Sequence, residues 1–148
     1  MKTIDTEAYL SALRELTDTG HEVSVTIRGG SMLPFLVPQR DRILFSKPNR
    51  PLRKGDIVLY QRANGSFVAH RIRRVHGNGC CDMIGDAQTQ LEYDVPPEQI
   101  FALVTGVQRK GKWLNARSFW WQFFAHVWLW IIPLRRQILR LYGTIKNI

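Results

Sequence analysis

Hydrophobic and polar residues alternate in several short segments of this chain, beginning with VSVTIR at residues 23–28. A period of two is typical of a strand with one buried face. Residues 56–61 and 67–75 show strand patterns as well, and the dipeptide Asn64-Gly65 between them is typical of a tight hairpin turn. These segments predict antiparallel strands connected by short turns.

The returning strand of this hairpin, residues 67–75, separates two kinds of side chain. Because successive side chains point to opposite faces of a sheet, His70 and Ile72 share one face, and Arg71 and Arg73 share the other. A histidine on an apolar face is often a packed and hydrogen-bonded core residue. Neutral imidazole is also a suitable general base near neutral pH, so both interpretations stay open at this point.

Helical patterns lie on both sides of the strands. Residues 1–20 predict a short amphipathic helix with Asp5 as a candidate N-cap and Gly20 as its end. Its apolar face would contain Tyr9, Leu13 and Leu16. The chain is therefore predicted to be mostly β, with a domain of coiled antiparallel β-sheets over residues 21–112 and a helical, aromatic and basic tail over 113–148.

The strand at 23–28 runs into a turn that presents one hydroxyl group. Gly29 and Gly30 permit the backbone angles of a tight turn and leave room for a substrate chain, while Pro34 suits the first turn of a short helix. Ser31 is then exposed where a nucleophile would stand. The same Gly-Gly-Ser sequence is also ordinary turn chemistry, so the turn alone does not establish catalysis.

Four short segments follow one another along the chain: GSMLP at 30–34, RKGDIV at 53–58, HRI at 70–72 and GD at 85–86. Together they resemble the superfamily of signal peptidase I and the self-cleaving SOS-type repressors, over about residues 23–112. Typical bacterial signal peptidases carry a lysine at the position of His70, whereas the archaeal and endoplasmic-reticulum type carries a histidine. The resemblance implies β-sheets of the signal-peptidase type and the Ser/His branch of the superfamily.

Carried over position by position, the resemblance makes Ser31 the nucleophile and His70 its general base. An aspartate would orient the imidazole and stabilise the imidazolium. Two candidates compete for this role: Asp86, in a stretch similar to the Gly-Asp-Asn of the family, and Asp94, near where the Ser/His branch also carries an aspartate. Only one of them would act, and either could be an ordinary turn or loop residue.

The expected oxyanion site departs from the family pattern. Relatives often carry a serine two places before the nucleophile, where this chain has Gly29. The resemblance then implies an oxyanion hole built from backbone N–H groups, those of Gly30 and Ser31. Because losing one donor slows acyl transfer substantially, this departure lowers the expected catalytic efficiency.

Composition limits the other classes of function. The chain has 148 residues and a net charge of +9, from 21 basic and 12 acidic residues. Such charge fits nucleic acid, anionic lipid or a solvated surface, but no zinc-ligand spacing, stacking motif or helix-turn-helix accompanies it, so nucleic acid is the weakest candidate partner. Cys80 and Cys81 are adjacent, which predicts neither a disulfide framework nor a metal site, and no cofactor is expected.

The tail contains an almost wholly apolar segment, residues 119–134, that is rich in tryptophan. At about 1.5 Å per residue, a helix of this length falls short of a hydrocarbon core of roughly 30 Å, and Pro133 interrupts it. The aromatic rings and the basic residues Arg135, Arg136, Arg140 and Lys146 fit an anionic headgroup region, which predicts membrane contact through residues 119–146. The alternatives are a helix docked on the protein's own sheet and a helix buried in a dimer.

These observations favour a serine endopeptidase that acts on a peptide or protein substrate; the resemblance implies small residues near the scissile bond. The alternative is a weakly active or inactive relative that binds peptide segments at a membrane. A basic regulator that contacts nucleic acid is a third hypothesis, and it lacks a recognisable DNA-reading element. Residues 1–18 lack the continuous apolar core of a signal peptide, and free thiols are typical of a reducing compartment. The expected location is membrane-associated or cytoplasmic.

Overall fold

The structure is a computed structural model that describes residues 6–27, 30–115 and 117–146, with side chains described over 11–27, 30–115 and 117–141. The helices are α1 (Thr6–Asp18), α2 (Phe119–Gln122) and α3 (Arg135–Lys146). The strands are β1 (Val23–Thr26), β2 (Arg42–Ser46), β3 (Ile57–Gln61), β4 (Phe67–Val75), β5 (Cys81–Ile84), β6 (Glu92–Val95), β7 (Ile100–Arg109) and β8 (Lys112–Leu114). Short 3-10 turns lie at Pro97–Gln99 and Ile132–Leu134, and a π-helical turn lies at Phe123–Trp128.

All eight strands of the described residues belong to one antiparallel sheet, in the order β1-β2-β7-β3-β4-β5-β6, with β8 paired to β7. This confirms the predicted mostly β, antiparallel fold with a short N-terminal helix and a helical aromatic C-terminal segment. The strands form one continuous sheet rather than several. Register shifts interrupt the β2–β7, β3–β7, β4–β5 and β5–β6 ladders, and such irregularities bend a strand and increase its local twist.

The predicted hairpin is present between β3 and β4. Val58 pairs with His70, and Tyr60 pairs with Val68. This register places Tyr60 diagonally across from His70 on the same face of the sheet. β4 has the predicted bounds, β3 begins one residue later than expected, and β1 ends at Thr26 rather than at residue 28.

Hydrophobic side chains are buried on both faces of the sheet, in two clusters. Adjacent residues of β3 alternate between them, because Ile57 belongs to the larger cluster and Val58 to the smaller one. On β4 the neighbours His70 and Arg71 are likewise both buried although they face opposite sides. The sheet therefore separates the surroundings of His70 from those of Arg71.

The N-terminal helix packs through a face that differs from the predicted one. Leu13 contacts the larger cluster and Thr17 is fully buried, whereas Leu16 is 43% exposed. The Thr17 hydroxyl donates a 2.8 Å hydrogen bond to Leu13 O, which satisfies this buried group. α1 ends two residues before Gly20, whose φ of 94° fits the predicted helix stop. The other predicted positions, Asp5 and the side chain of Tyr9, lie outside the described residues.

The C-terminal tail is docked on the protein's own sheet through one of its faces. Side chains spaced three and four residues apart join the larger cluster, namely Trp121, Phe124, Ala125 and Trp128. The ring of Phe124 lies 4.9 Å from that of Phe35, and Nε1 of Trp128 donates a 2.7 Å hydrogen bond to Asp86 O. This face of the tail therefore packs on the protein's own sheet, which was one of the alternatives to membrane contact.

Among the described helices, none combines the length and the apolar content that crossing a bilayer requires.

Replacing Trp128 by alanine is expected to destabilise the protein by roughly 3–5 kcal/mol, because it empties a buried aromatic site and removes the hydrogen bond to the 85–88 loop. Trp130→Ala is the matched control, since Trp130 is 77% exposed. The control should change the free energy of unfolding by less than about 0.5 kcal/mol. Urea denaturation measures both values, and equal effects would contradict the docking of the tail through Trp128.

Candidate active site

Ser31 is held in place by the loop that joins β5 to β6. Its carbonyl oxygen accepts a 2.8 Å hydrogen bond from Ala87 N–H. Gly85 lies so close that an added Cβ would collide with the Ser31 carbonyl oxygen and stand 3.1 Å from the Ser31 Cβ. Only glycine fits at this point, and the predicted Gly-Asp motif therefore has a steric role beside the serine.

Ser31 and His70 line the same cavity, whose volume is about 270 Å³. The other lining residues are Ile27, Met32, Arg62, Phe67, Val68, Ala69 and Gln88. No hydrogen bond joins Ser31 to His70 in the described part of the chain. Catalytic hydrogen bonds are often long before substrate binds and tighten in the complex, so the shared cavity is the relevant observation.

His70 is 3% exposed and contacts a buried tyrosine and a glutamate beyond it. Tyr60 Oη lies 3.3 Å from His70 Nδ1 and donates a 2.7 Å hydrogen bond to Glu92 Oε1. Because the single phenolic proton is directed to Glu92, the Tyr60 oxygen can only accept from His70. This arrangement assigns the imidazole proton to Nδ1 and leaves the lone pair on Nε2.

The surroundings of His70 keep the imidazole uncharged. Burial and, to a smaller extent, the charge of Arg62 lower the pKa of His70 to about 4, while the charge of Glu92 opposes the shift. Burial disfavours ionisation of Glu92, but hydrogen bonds from Arg62 and Tyr60 outweigh it and hold the pKa of Glu92 below its ordinary value. Burial and the neighbouring Glu92 raise the pKa of Tyr60, which stays protonated. At neutral pH the site thus contains a neutral imidazole and an ionised carboxylate.

Asp86 faces away from His70, contrary to its predicted role as an orienting carboxylate. Both its oxygens accept 2.8 Å hydrogen bonds from Arg71, and both side chains are fully buried. Arg71 also donates to Gly55 O at 2.9 Å. The physical reason is strand alternation: Arg71 and His70 are adjacent on β4 and point to opposite faces, so a carboxylate that pairs with one is kept from the other.

Asp94 is also placed away from His70. Its side chain is 75% exposed, and Asp94 Oδ1 lies 3.4 Å from Nε2 of His76. Asp82 completes this group, with Oδ1 3.0 Å from His76 Nε2 and accepting a 2.9 Å hydrogen bond from Asp94 N–H. An imidazole and two carboxylates form a ligand set that a divalent cation accepts, although no metal site was predicted here. The hydrogen bonds within this group also account for the arrangement without a cation.

The candidate oxyanion donors lie beside Ser31. Within the described residues, the N–H groups of Gly30 and Ser31 donate no hydrogen bond, and Gly30 O accepts one of 3.2 Å from Leu33 N–H. Backbone N–H groups without an internal acceptor can bind a developing oxyanion. Gly29 lies outside the described residues.

Two arginines, Arg71 and Arg135, are buried. Arg71 pairs with Asp86, and Arg135 donates hydrogen bonds to Gly85 O at 3.0 Å and Gln88 O at 2.9 Å. Burial lowers the pKa of Arg135 to about 10, with Asp86 opposing this shift and Arg71 adding to it. Arg135 therefore fixes the loop beside Ser31. Contrary to the expectation from sequence, it is too deeply buried to contact lipid headgroups.

Sequence reasoning missed the residues that surround His70. Tyr60 could have been found, because the hairpin register places it diagonally opposite His70. Glu92 and its partner Arg62 could not, since their contact depends on how β6 is placed against the hairpin. No local pattern encodes that placement.

The site therefore combines a half-buried serine and a neutral imidazole with an assigned tautomer around one cavity, and candidate oxyanion donors lie at the serine. This set is suited to acyl transfer. No family model, no curated protein and no solved structure matches the chain.

Asp86→Asn is expected to lower the free energy of unfolding by roughly 3–5 kcal/mol, because it leaves the Arg71 guanidinium buried without a counter-charge. Asp94→Asn is the matched control; it lies on the surface with φ of 55°, which asparagine adopts readily, and should cost less than about 0.5 kcal/mol. Chemical denaturation compares the two variants. Wild-type stability of Asp86→Asn together with a lower kcat would instead restore the orienting role of Asp86.

Proposed function

We propose that this chain is a serine endopeptidase related to the signal peptidases, with Ser31 as nucleophile and His70 as general base. One observation carries the proposal: Ser31 and an uncharged, buried His70 line the same cavity. The ordered sequence motifs, which resemble that superfamily, add to it. The proposed substrate is an extended peptide segment.

In the first step the Ser31 hydroxyl gives its proton to His70 Nε2 while its oxygen bonds to the carbonyl carbon of the substrate. The carbonyl oxygen becomes an oxyanion, and the N–H groups of Gly30 and Ser31 are its candidate donors. The C–N bond then breaks, the proton on Nε2 passes to the leaving amine, and an acyl-enzyme remains on Ser31. Water attacks the acyl carbon, gives a proton to His70, and the Ser31 oxygen takes that proton as the acid is released.

Glu92 and Tyr60 take the part that the sequence assigned to an aspartate. The imidazolium that forms in each step is disfavoured by burial and by Arg62. Glu92 provides the compensating negative charge, and Tyr60 connects it to His70 Nδ1 through hydrogen bonds of 2.7 and 3.3 Å. Both are positioning residues, since they act on the reaction through His70.

A second candidate function is a weakly active or inactive relative that binds peptides. The observation that favours it is the missing hydrogen bond between Ser31 and His70 among the described contacts. A base with a pKa of about 4 is also a weak proton acceptor, which points in the same direction.

Ser31→Ala and His70→Gln are each expected to abolish cleavage, and the double variant should be no worse than either, because the two groups act as a unit. Glutamine replaces His70 because alanine would leave a cavity at a buried position. The assay is digestion of a mixture of unstructured synthetic peptides, with new termini read by mass spectrometry. Ser66→Ala and His126→Gln, at exposed positions, are the controls. Cleavage by Ser31→Ala would overturn the mechanism; peptide binding without cleavage by the wild type would establish the second candidate.

The pH dependence of kcat/KM should follow the pKa of His70. Because only neutral His70 can accept the proton, activity should rise with pH through about 4 and then level off. Arg62→Gln removes a charge that lowers this pKa and should move the acid limb to higher pH. Glu92→Gln removes a charge that raises it and should move the limb to lower pH while reducing kcat. A limb that neither substitution moves would contradict this assignment.

A further inference from the structure

The C-terminal tail has an outward face that the core does not use. Along residues 119–130 the buried side chains follow a helical stripe, and the opposite face of such a helix is ordinarily polar. Here it exposes large apolar side chains, with Phe119 70% and Trp130 77% exposed. We call this face the outer tail surface; its members are Phe119, Trp120, Val127 and Trp130.

Part of this surface is a contiguous aromatic cluster. The rings of Phe119 and Trp120 lie 5.1 Å apart, and Trp120 lies 5.8 Å from Phe123. Single exposed hydrophobic residues are common on proteins, whereas contiguous apolar patches mark contact with another molecule. The contact between Phe119 and Trp120 makes this part of the outer tail surface a contiguous patch.

The charged side chains of the segment that carries this surface all have one sign. Glu98 is the last acidic residue in the sequence, so every charged side chain after it is basic. Lys112 and Arg117 precede the aromatic cluster, Arg136 and Arg140 follow it, and all four are exposed. Exposed tryptophans bordered by arginine and lysine match the headgroup region of a bilayer that contains anionic lipids.

We propose that the outer tail surface binds the interface of an anionic lipid bilayer. The aromatic rings enter the headgroup region while the basic side chains contact the lipid phosphates. A second copy of this chain is a poorer occupant, because it would bring the same positive charges together across the contact. The inner face of the tail stays docked on the sheet, so the contact is made by a folded protein lying on the surface of the bilayer.

Membrane contact would bring the candidate active site close to lipid. Arg135 is buried against the loop beside Ser31, while its neighbour Arg136 lines a groove together with Gln88. Gln88 also lines the cavity of Ser31 and His70. The substrate would then be a peptide segment presented at the membrane surface, a step that rests on the proposed function.

The test is co-sedimentation of the full chain with vesicles of phosphatidylcholine alone or mixed with phosphatidylglycerol. Binding should be stronger to the anionic vesicles, and added salt should weaken that excess. The double variant Phe119→Ala/Trp130→Ala should bind roughly tenfold less or weaker still, because two apolar anchors are lost. Tyr93→Ala, an exposed aromatic residue on β6, is the matched control and should bind like the wild type. The double variant Arg117→Gln/Arg136→Gln should lose only the salt-sensitive part of vesicle binding. Arg74→Gln, at an exposed position on β4, should bind vesicles like the wild type.

Equal vesicle binding by Phe119→Ala/Trp130→Ala and by the wild type would overturn the proposal. So would a loss of vesicle binding in Tyr93→Ala as large as the loss in that double variant. Dimerisation in light scattering that the same double variant abolishes, without vesicle binding, would assign the surface to a second copy instead. Ser31→Ala should bind vesicles like the wild type. A failure of catalysis is thereby distinguished from a failure of membrane binding.

Discussion

The guanidinium of Arg71 and the carboxylate of Asp86 meet in the interior through two hydrogen bonds of 2.8 Å, and a third bond joins Arg71 to Gly55 O. Neither charge has access to water, so each is stable there only because the other is present. Through this contact β4 fixes the 85–88 loop, the loop fixes Ser31 by way of Gly85, and the tail covers the loop with Trp128 and Arg135. The candidate nucleophile is therefore positioned by charges on the face of the sheet opposite its candidate base.

The neighbouring β4 residues His70 and Arg71 have different roles: Arg71 belongs to a buried ion pair, and His70 is the candidate base. Asp86 pairs with the buried Arg71 guanidinium, whereas His70 is uncharged because burial and Arg62 oppose its protonation. The sheet between them limits how strongly the two environments affect each other. As a result, the Arg71 pair can be optimised for stability and the surroundings of His70 for proton transfer.

The parts of this molecule that depend on local pattern could be predicted from sequence. β4, the hairpin turn and the turn that carries Ser31 follow from alternation and turn chemistry, which act over a few residues. The partners of His70 could not be predicted, because Glu92 comes from a strand distant in sequence and the aspartates have closer partners in Arg71 and His76. The placement of the tail was ambiguous for a physical reason, because the same aromatic composition fits a protein core and a headgroup layer. In the structure one face of the tail is buried and the opposite face is exposed.

Because the tail follows the sheet in the sequence, it is synthesised after the strands on which it docks. Domains fold as their residues emerge from the ribosome, N-terminal parts first. A nascent chain that has emerged only as far as Lys112 contains Ser31 and His70 but lacks Trp128 and Arg135, which cover the loop beside the serine. Such a chain also leaves Phe35 without the ring of Phe124, which packs against it at 4.9 Å. The contacts that hold the loop beside Ser31 are thus completed only by residues that are synthesised after the last strand, β8.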